Sequence, residues 1–469
     1  MNQLKIYNTL SRKKEDFKPF KKKKINIFVC GPTVYDFSHI GHARTNIVFD
    51  SLVKYFKKQG FKVFYLQNIT DIDDKIIQRA REKGVTPKDL AEAFTKEHLK
   101  DMKDLGINSV DKYAKATSYI KEIINQTKRL IDKGYAYKLD DGIYFDISKF
   151  ESYGKLSGRT SLQAEDSISR IDYSKNKKNR GDFCLWKLND NSDEPSWPSP
   201  FGKGRPGWHI EDTAITEKFF GPQYDIHGGG IDLIFPHHEA EVTQMESISG
   251  KSPMAKYWMH IGFLTISGQK MSKSLDNFVT ISDFLKRHTY RHLRFLIVKN
   301  LWRSPMNYSE VILMDAKAGV ERVEGFLAKI KNIKQYSKGD AKVTLEIKKL
   351  KDNFYENLAD DFNTPKAFAT IFEFIKKINA FLDKNLLSKS QATSTYRFFE
   401  EINDIFDFID FKKLSKIKFP KEVEDLVKER EKYRKLSEWQ KADMARIEIE
   451  KNGFIVEDTK EGPLLRKKE

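Results

Sequence analysis

Ile25-Asn26-Ile27-Phe28-Val29-Cys30 runs into Gly31-Pro32, and soon afterwards into His39-Ile40-Gly41-His42. The first run is short, apolar, rich in β-branched residues and closed by a Gly-Pro break, which predicts a buried strand. From Gly41 to Gln59, Ile47, Val48, Leu52, Tyr55 and Phe56 recur at helical spacing, and Gly60 supplies the stop. Phe61 to Leu66 predicts a second strand. Strand, helix, strand is a βαβ unit, and its strands must be parallel. The fold class is therefore α/β.

Residues 1–110 are predicted to form the first half of this parallel-sheet domain. Residues 111–205 mix helical and hairpin signals. They contain the polar stretch Ser174 to Arg180 and the run Pro195-Ser196-Trp197-Pro198-Ser199-Pro200, and predict a connective insertion. Strand patterns at Gln223 to His227 and Tyr257 to Ile266 resume the alternation, making 206–300 the second half. Past residue 300 strand signals vanish; charged amphipathic stretches predict a helical bundle over 301–405. A small terminal domain, 406–469, holds one clear helix, with a capping box at Ser437 and Gln440 and a face of Trp439, Ala442, Ala445 and Ile449. Phe454 to Val456 with Leu464-Leu465 predicts a hairpin.

At 469 residues the chain exceeds what one core supports. A hydrophobic content of 39% with 13% aromatics excludes a disordered chain. Met1 to Lys24 is polar and lysine-rich, no apolar run is long enough to span a bilayer, and only Cys30 and Cys184 are cysteines. Those features predict a reducing, cytoplasmic setting without membrane attachment. The net charge of +17, from 84 Lys+Arg against 67 Asp+Glu, suits a polyanionic partner.

His39-Ile40-Gly41-His42 opens the first predicted helix, where unpaired N–H groups and partial positive charge attract phosphate. Gly41 allows close backbone approach, and the two imidazoles can donate to phosphate oxygens. Lys270-Met271-Ser272-Lys273-Ser274 follows another strand, and its lysines suit a transferring phosphoryl group. Each motif alone is weak; the pair, each just beyond a strand, marks the class I aminoacyl-tRNA synthetases. The glycine run Gly228-Gly229-Gly230 ends a strand and predicts close approach of a ligand, with Asp232 beyond it for ribose hydroxyls. In Pro236-His237-His238-Glu239-Ala240-Glu241, proline near a first helical turn puts His237 and Glu241 one turn apart, a metal-ligand spacing, and His238 would also serve. Cys30 is the natural third ligand, since neighbouring parallel strands deliver their carboxyl ends to one crevice.

Longer strings narrow the family. Phe28 to Asp36, Asn68-Ile69-Thr70-Asp71-Ile72-Asp73-Asp74-Lys75, Gly204-Arg205-Pro206-Gly207-Trp208-His209-Ile210-Glu211, Phe235 to Glu239 and Asp360-Asp361-Phe362-Asn363-Thr364-Pro365 together resemble the bacterial cysteinyl-tRNA synthetases along nearly the whole chain. The resemblance implies a class I, Rossmann-like catalytic domain with an inserted connective domain, a helical bundle and a small anticodon-binding domain. It implies one Zn2+ ion holding the substrate thiolate, with ligands at Cys30, Asp212, His237 and Glu241. Where the family has a second cysteine, this chain has Asp212, and a carboxylate in place of thiolate keeps the ligand charge. Cys184 falls at a family core position.

The implied reaction is activation of L-cysteine by Mg2+-bound ATP, then transfer to the 3′ end of tRNA(Cys), by a monomer. His39, His42, Lys270 and Lys273 would stabilise charge; Gly41, Gly228, Gly229, Gly230 and Asp232 would hold ATP; Thr70, Trp208 and His227 would line the cysteine pocket. Trp439 and Arg434 are candidate anticodon contacts, although Trp439 is expected to pack the helix face. Two other readings compete: a cysteine:amino-sugar ligase with the same adenylate chemistry, and a non-catalytic tRNA-binding paralogue.

Overall fold

A computed structural model describes residues 3–159, 174, 176–189, 194–270, 278–331, 333, 337–416, 420–459 and 462–467. Five strands build the central sheet: β1 (Lys24–Val29), β2 (Lys62–Ile69), β3 (Lys112–Lys115), β4 (Tyr224–Gly230) and β5 (Ala255–Ile261). Every pairing among them is parallel, in the order β5-β4-β1-β2-β3. This is the doubly wound order, in which the chain reverses direction between β1 and β4 and opens a crevice at the strands' carboxyl ends. Ile25, Ile27, Phe28, Leu66 and Ile226 are fully buried, as expected of strands covered on both faces.

Three helices place the chemistry: α1 (Ile40–Lys58), α2 (Ile210–Phe220) and α3 (Glu239–Ser249). α1 buries Ile47, Val48, Leu52, Tyr55 and Phe56, the residues whose spacing predicted it. α3 begins later than the proline suggested. Phe235 is extended (φ −139°, ψ 132°) and Ile234–His238 forms one wide turn before the helix proper.

Two strand assignments need correction. Lys112–Lys115, assigned to the insertion from its start at 111, is the edge strand of the catalytic sheet, pairing Leu66 with Lys112. Met306–Tyr308, in the region read as wholly helical, pairs in parallel with Leu264–Ile266. The insertion's own framework is a four-stranded antiparallel sheet of Ala136–Leu139, Gly142–Phe145, Phe183–Leu188 and Gly204–Pro206. Cys184 is fully buried there, as a core residue.

The chain divides into two compact units, the first comprising 1–318, 354–368 and 402–408, the second 319–353, 369–401 and 409–469. Long helices Glu310–Lys331, Ala341–Ala359, Thr364–Leu382 and Lys389–Phe406 follow the sheet domain in sequence. The second unit ends in Lys421–Lys435, Trp439–Lys451 and the antiparallel hairpin Phe454–Thr459/Gly462–Lys467, packed around Val423, Val427, Ile449 and Val456. The expected capping box is absent. Ser437 has a left-handed φ of 56°, and its N–H closes the preceding helix on the Arg434 carbonyl, so Glu438 takes the cap position. Ala442, Ala445 and Ile449 face the core, but Trp439 is 59% exposed. Among the described residues no helix is long and apolar enough to cross a membrane.

Candidate active site

The crevice between β1 and β4 gathers side chains from three helix starts and two strand ends. Cys30 follows β1, its N–H donating to the Gly228 carbonyl of β4 (2.9 Å). Asp212 lies in the first turn of α2, His237 in the wide turn before α3, and Glu241 in the first turn of α3. They meet at the His237 imidazole. Its Nε2 lies 3.1 Å from Asp212 Oδ2, 3.2 Å from Glu241 Oε1 and 3.6 Å from Cys30 Sγ.

Those separations can be compared with a tetrahedral ion. With metal–N and metal–O near 2.0–2.1 Å and metal–S near 2.3 Å, tetrahedral edges come to about 3.3 Å for N–O pairs and about 3.6 Å for N–S pairs. The three edges that meet at His237 Nε2 match within a few tenths of an ångström; ligand atoms of Asp212, His237 and Glu241 lie within 4.8 Å of one another, and those of Cys30, His237 and His238 form a second such group that shares His237. A second observation points the same way. Both oxygens of the fully buried Glu241 lack a hydrogen-bond partner among the described residues, an expensive state for a carboxylate unless a cation faces it. Burial first, then Asp212 and Glu211, pushes the Glu241 carboxyl well up. Burial, with Asp212 and Glu241 alongside, does the same to the Cys30 thiol. An ion of charge +2 would reverse both effects.

The surroundings orient these donors. His209 Nδ1 meets His237 Nδ1 at 2.9 Å, leaving His237 Nε2 for the cluster. Trp208 stacks on the His237 ring (centroids 4.3 Å apart, planes at 19°), so it is neither a core aromatic nor fully buried. Thr70 is buried and donates to Glu211 Oε1 (2.8 Å). His227 is the third residue expected at the cysteine pocket. It is completely buried, bonded through Nδ1 to the Tyr224 hydroxyl (2.6 Å) and stacked on Trp258, and its Nε2 faces Glu241 Oε2 at 3.7 Å. It stands behind the donors, where it can steady Glu241. His238, the alternative sequence ligand, also faces Glu241, with its Nδ1 taken by His260 (2.8 Å).

The phosphate-handling pair is arranged differently from expectation. His39 caps α1, its Nδ1 accepting from the N–H groups of Gly41 (3.0 Å) and His42 (3.4 Å). His42 Nδ1 accepts in turn from the His39 N–H (3.3 Å). The amides expected to meet phosphate are thus engaged by the protein. Both rings must carry their proton on Nε2, and the rings stack 3.7 Å apart. Burial, with His39 beside it, pushes the His42 imidazole well below its ordinary range, so it is neutral. The chain just beyond the second motif, from Phe278 to Thr280, is tied to the same helix start. The backbone bridges His39 to Thr280, Ile40 N–H donates to the Val279 carbonyl (3.1 Å), and Phe278 meets the His39 ring edge-on. Lys270 closes the two-residue strand Gln269–Lys270; Lys273, with residues 271–277, lies outside the described residues.

The glycine run serves packing. A methyl on Gly228 would lie 2.1 Å from the Phe49 ring of α1, and one on Gly229 would lie 2.8 Å from His238. Neither has room for a ligand on the side that a Cβ would occupy. A methyl on Gly230 would meet only the side chain of Asp232, which is exposed at the crevice rim.

One residue escaped sequence reasoning altogether. Arg44 of α1 is 1% exposed, and its Nη1 and Nη2 donate to the backbone carbonyls of Gly262, Phe263, Leu301, Trp302 and Ser304. It staples the helix behind His39 to the strands that flank the Lys270 motif. The available signal was a cation one helical turn from both Ile40 and Ile47, on the apolar stripe.

The chain matches the family described as "tRNA synthetases class I (C) catalytic domain" over residues 16–318, and a DALR domain over 353–409. A protein of Thermodesulfovibrio yellowstonii named "Cysteine--tRNA ligase" is 42% identical, with 97% of this chain and 98% of that protein covered. One of the same name from Thermoplasma volcanium is 43% identical, with 97% of each covered. Among solved structures, Mycobacterium tuberculosis methionyl-tRNA synthetase in complex with methionyl-adenylate superposes with a TM-score of 0.61 at 14% identity, covering 82% of this chain and 92% of that one. A ternary complex of an Agrobacterium radiobacter LeuRS with tRNA gives 0.64 at 11% identity, covering 86% of each chain. These two show a shared fold.

Proposed function

Because the chain belongs to the cysteine–tRNA ligases of synthetase class I, we propose that the crevice between β1 and β4 is where cysteine is activated by ATP and then joined to tRNA. The observation that carries this placement is the convergence of Cys30, Asp212 and Glu241 on His237 Nε2, beside the helix start that bears His39 and His42. Relatives matching 97% of the chain favour this activity over an amino-sugar ligase or a non-catalytic paralogue.

In the first step the cysteine carboxylate attacks the α-phosphate of Mg2+-bound ATP and pyrophosphate leaves. In the second, the 2′-hydroxyl of the tRNA's terminal adenosine attacks the adenylate carbonyl and AMP leaves. No covalent bond to the enzyme forms, so the chain's contribution is positioning and charge stabilisation. With their Nδ1 atoms engaged, His39 and His42 offer Nε2–H donors to phosphate oxygens. The neutral His42 imidazole can do this without a charge that titrates away. Lys270 and Lys273 supply positive charge to the departing pyrophosphate. Asp232 accepts from the ribose. Thr70 and Trp208 border the amino-acid pocket, and His227 acts through Glu241.

Cys30, Asp212, His237 and Glu241 would hold a Zn2+ ion. When bound, it supplies a thiolate-binding cation, which separates cysteine from serine far better than an apolar pocket's ~10²-fold. In the terminal domain, the exposure of Trp439 supports base stacking over helix packing, with Arg434, at the end of the preceding helix and ion-paired to Asp458, as the second candidate. The reading is tested by cysteine-dependent ATP–pyrophosphate exchange followed by charging of tRNA(Cys). Both reactions are expected; exchange without charging points to the small-molecule ligase, and neither to a binding protein.

A further inference from the structure

Asn68 stands at the end of β2 in the string Asn68-Ile69-Thr70-Asp71, completely buried, and its side chain joins two of the four metal donors. Its Oδ1 accepts from the N–H of Gly31, the residue after Cys30. Its Nδ2 donates to Asp212 Oδ1 and, at 3.3 Å, to the Thr70 hydroxyl. Gly31 is pressed so closely on this strand that a methyl on it would lie 1.9 Å from the Asn68 carbonyl oxygen. The Cys30-Gly31 backbone therefore has one seat, and Asn68 forms it.

Asp212 is the donor for which this matters most. A carboxylate has two oxygens, and a four-donor site needs one of them. Here Oδ2 faces His237 Nε2, while Oδ1 is held by the Asn68 amide. Glu241 makes the contrast, since both its oxygens lack such a partner among the described residues. We propose that Asn68 is the positioning residue that makes Asp212 a one-oxygen metal ligand, its amide N–H holding Oδ1 aside while its carbonyl oxygen seats the Cys30-Gly31 turn. The proposal rests on the metal reading above and extends it to a residue that touches neither metal nor substrate. It also explains how a carboxylate serves where a thiolate would bring a single donor atom and a weak acceptor.

The test is metal affinity of the full chain, purified without a metal-binding tag, measured by chelator competition with Zn2+ and with Co2+. Co2+ also reports ligand geometry through its visible absorption, independently of catalysis. Asn68→Ala is expected to weaken both ions by about 10–100-fold, the usual effect of removing a hydrogen bond behind a ligand. In an Asp212→Cys background the same change is expected to weaken them at least about fivefold less, because the amide then has no second oxygen to hold. Asn68→Leu keeps most of the side-chain volume while removing the amide and adding no charge, so it carries the test should Asn68→Ala not fold; it too is expected to lose at least about tenfold. Equal losses in the two backgrounds, or unchanged affinity and Co2+ spectrum in the Asn68 variants, overturn the role of Asn68 and leave the metal site standing. A wild-type chain that takes up neither ion overturns both.

Discussion

Replacing Arg44 by methionine keeps most of the aliphatic stem and removes the guanidinium. Five backbone carbonyls, from Gly262, Phe263, Leu301, Trp302 and Ser304, then lose their donor in a buried setting. Burial lowers the guanidinium pKa to about 10, so at neutral pH the group is charged, and those carbonyls are its described partners. Hydrogen bonds to a charged group contribute about 1.5–3 kcal/mol each, are not additive, and are offset by the desolvation of the cation. A net local loss of about 3–5 kcal/mol follows. It should fall on the segment where Gly262 N–H meets the Trp302 carbonyl and Met306 N–H meets the Phe263 carbonyl. Hydrogen exchange there reads the effect without assuming that the whole chain unfolds in one step. At 1.4 kcal/mol per tenfold, exchange at these amides should rise by about 10² to 4 × 10³-fold, with β1 and β2 amides unchanged. Arg44→Lys, which cannot form the fork, should fall between. Protection at Gly262 and Met306 equal to wild type in a folded Arg44→Met chain would refute the staple.

Other outcomes follow from single features. His98 is buried against the Ser38 hydroxyl (3.2 Å), and burial lowers its pKa to about 4. A folded-state value below the unfolded 6.5 means stability is full above about pH 6.5 and lost as pH falls toward 4, so His98→Gln should remove about 2 kcal/mol of the destabilisation seen between pH 7 and pH 5. Gly228→Ala drives a methyl into Phe49 and should lower stability by about 1–3 kcal/mol in thermal melts, while the double change with Phe49→Leu recovers part of it. Asp212→Cys should retain metal and shift Co2+ absorption toward the stronger sulfur charge-transfer bands of a two-thiolate site, whereas Asp212→Ala should lose at least about tenfold in metal affinity.

The βαβ unit was legible because β1 and α1 carry their own periodicity, and that unit alone placed Cys30 and His39 at a sheet's edge of chemistry. His237 and Glu241 were legible because their spacing survives the wide turn that delays α3. What was hidden depends on partners distant in sequence. Lys112–Lys115 and Met306–Tyr308 are strands only because β2 and Leu264–Ile266 lie beside them. The purpose of Gly228 is set by Phe49 across the sheet, and a glycine run looks the same whether it faces a ligand or a ring. The engaged amides of α1 were invisible because the residue that engages them, His39, is also one expected to meet phosphate. Ser437 satisfied the capping pattern but belongs to the preceding helix end, a one-residue shift that side-chain identity does not reveal.

Metal content addresses the centre of the account. Full-length protein, purified without chelators or a histidine tag, should contain close to one zinc per chain, and removing it should abolish discrimination of cysteine over serine in pyrophosphate exchange. A stoichiometry near zero with cysteine-specific exchange intact would contradict the assignment of Cys30, Asp212, His237 and Glu241 as the donors that select the substrate.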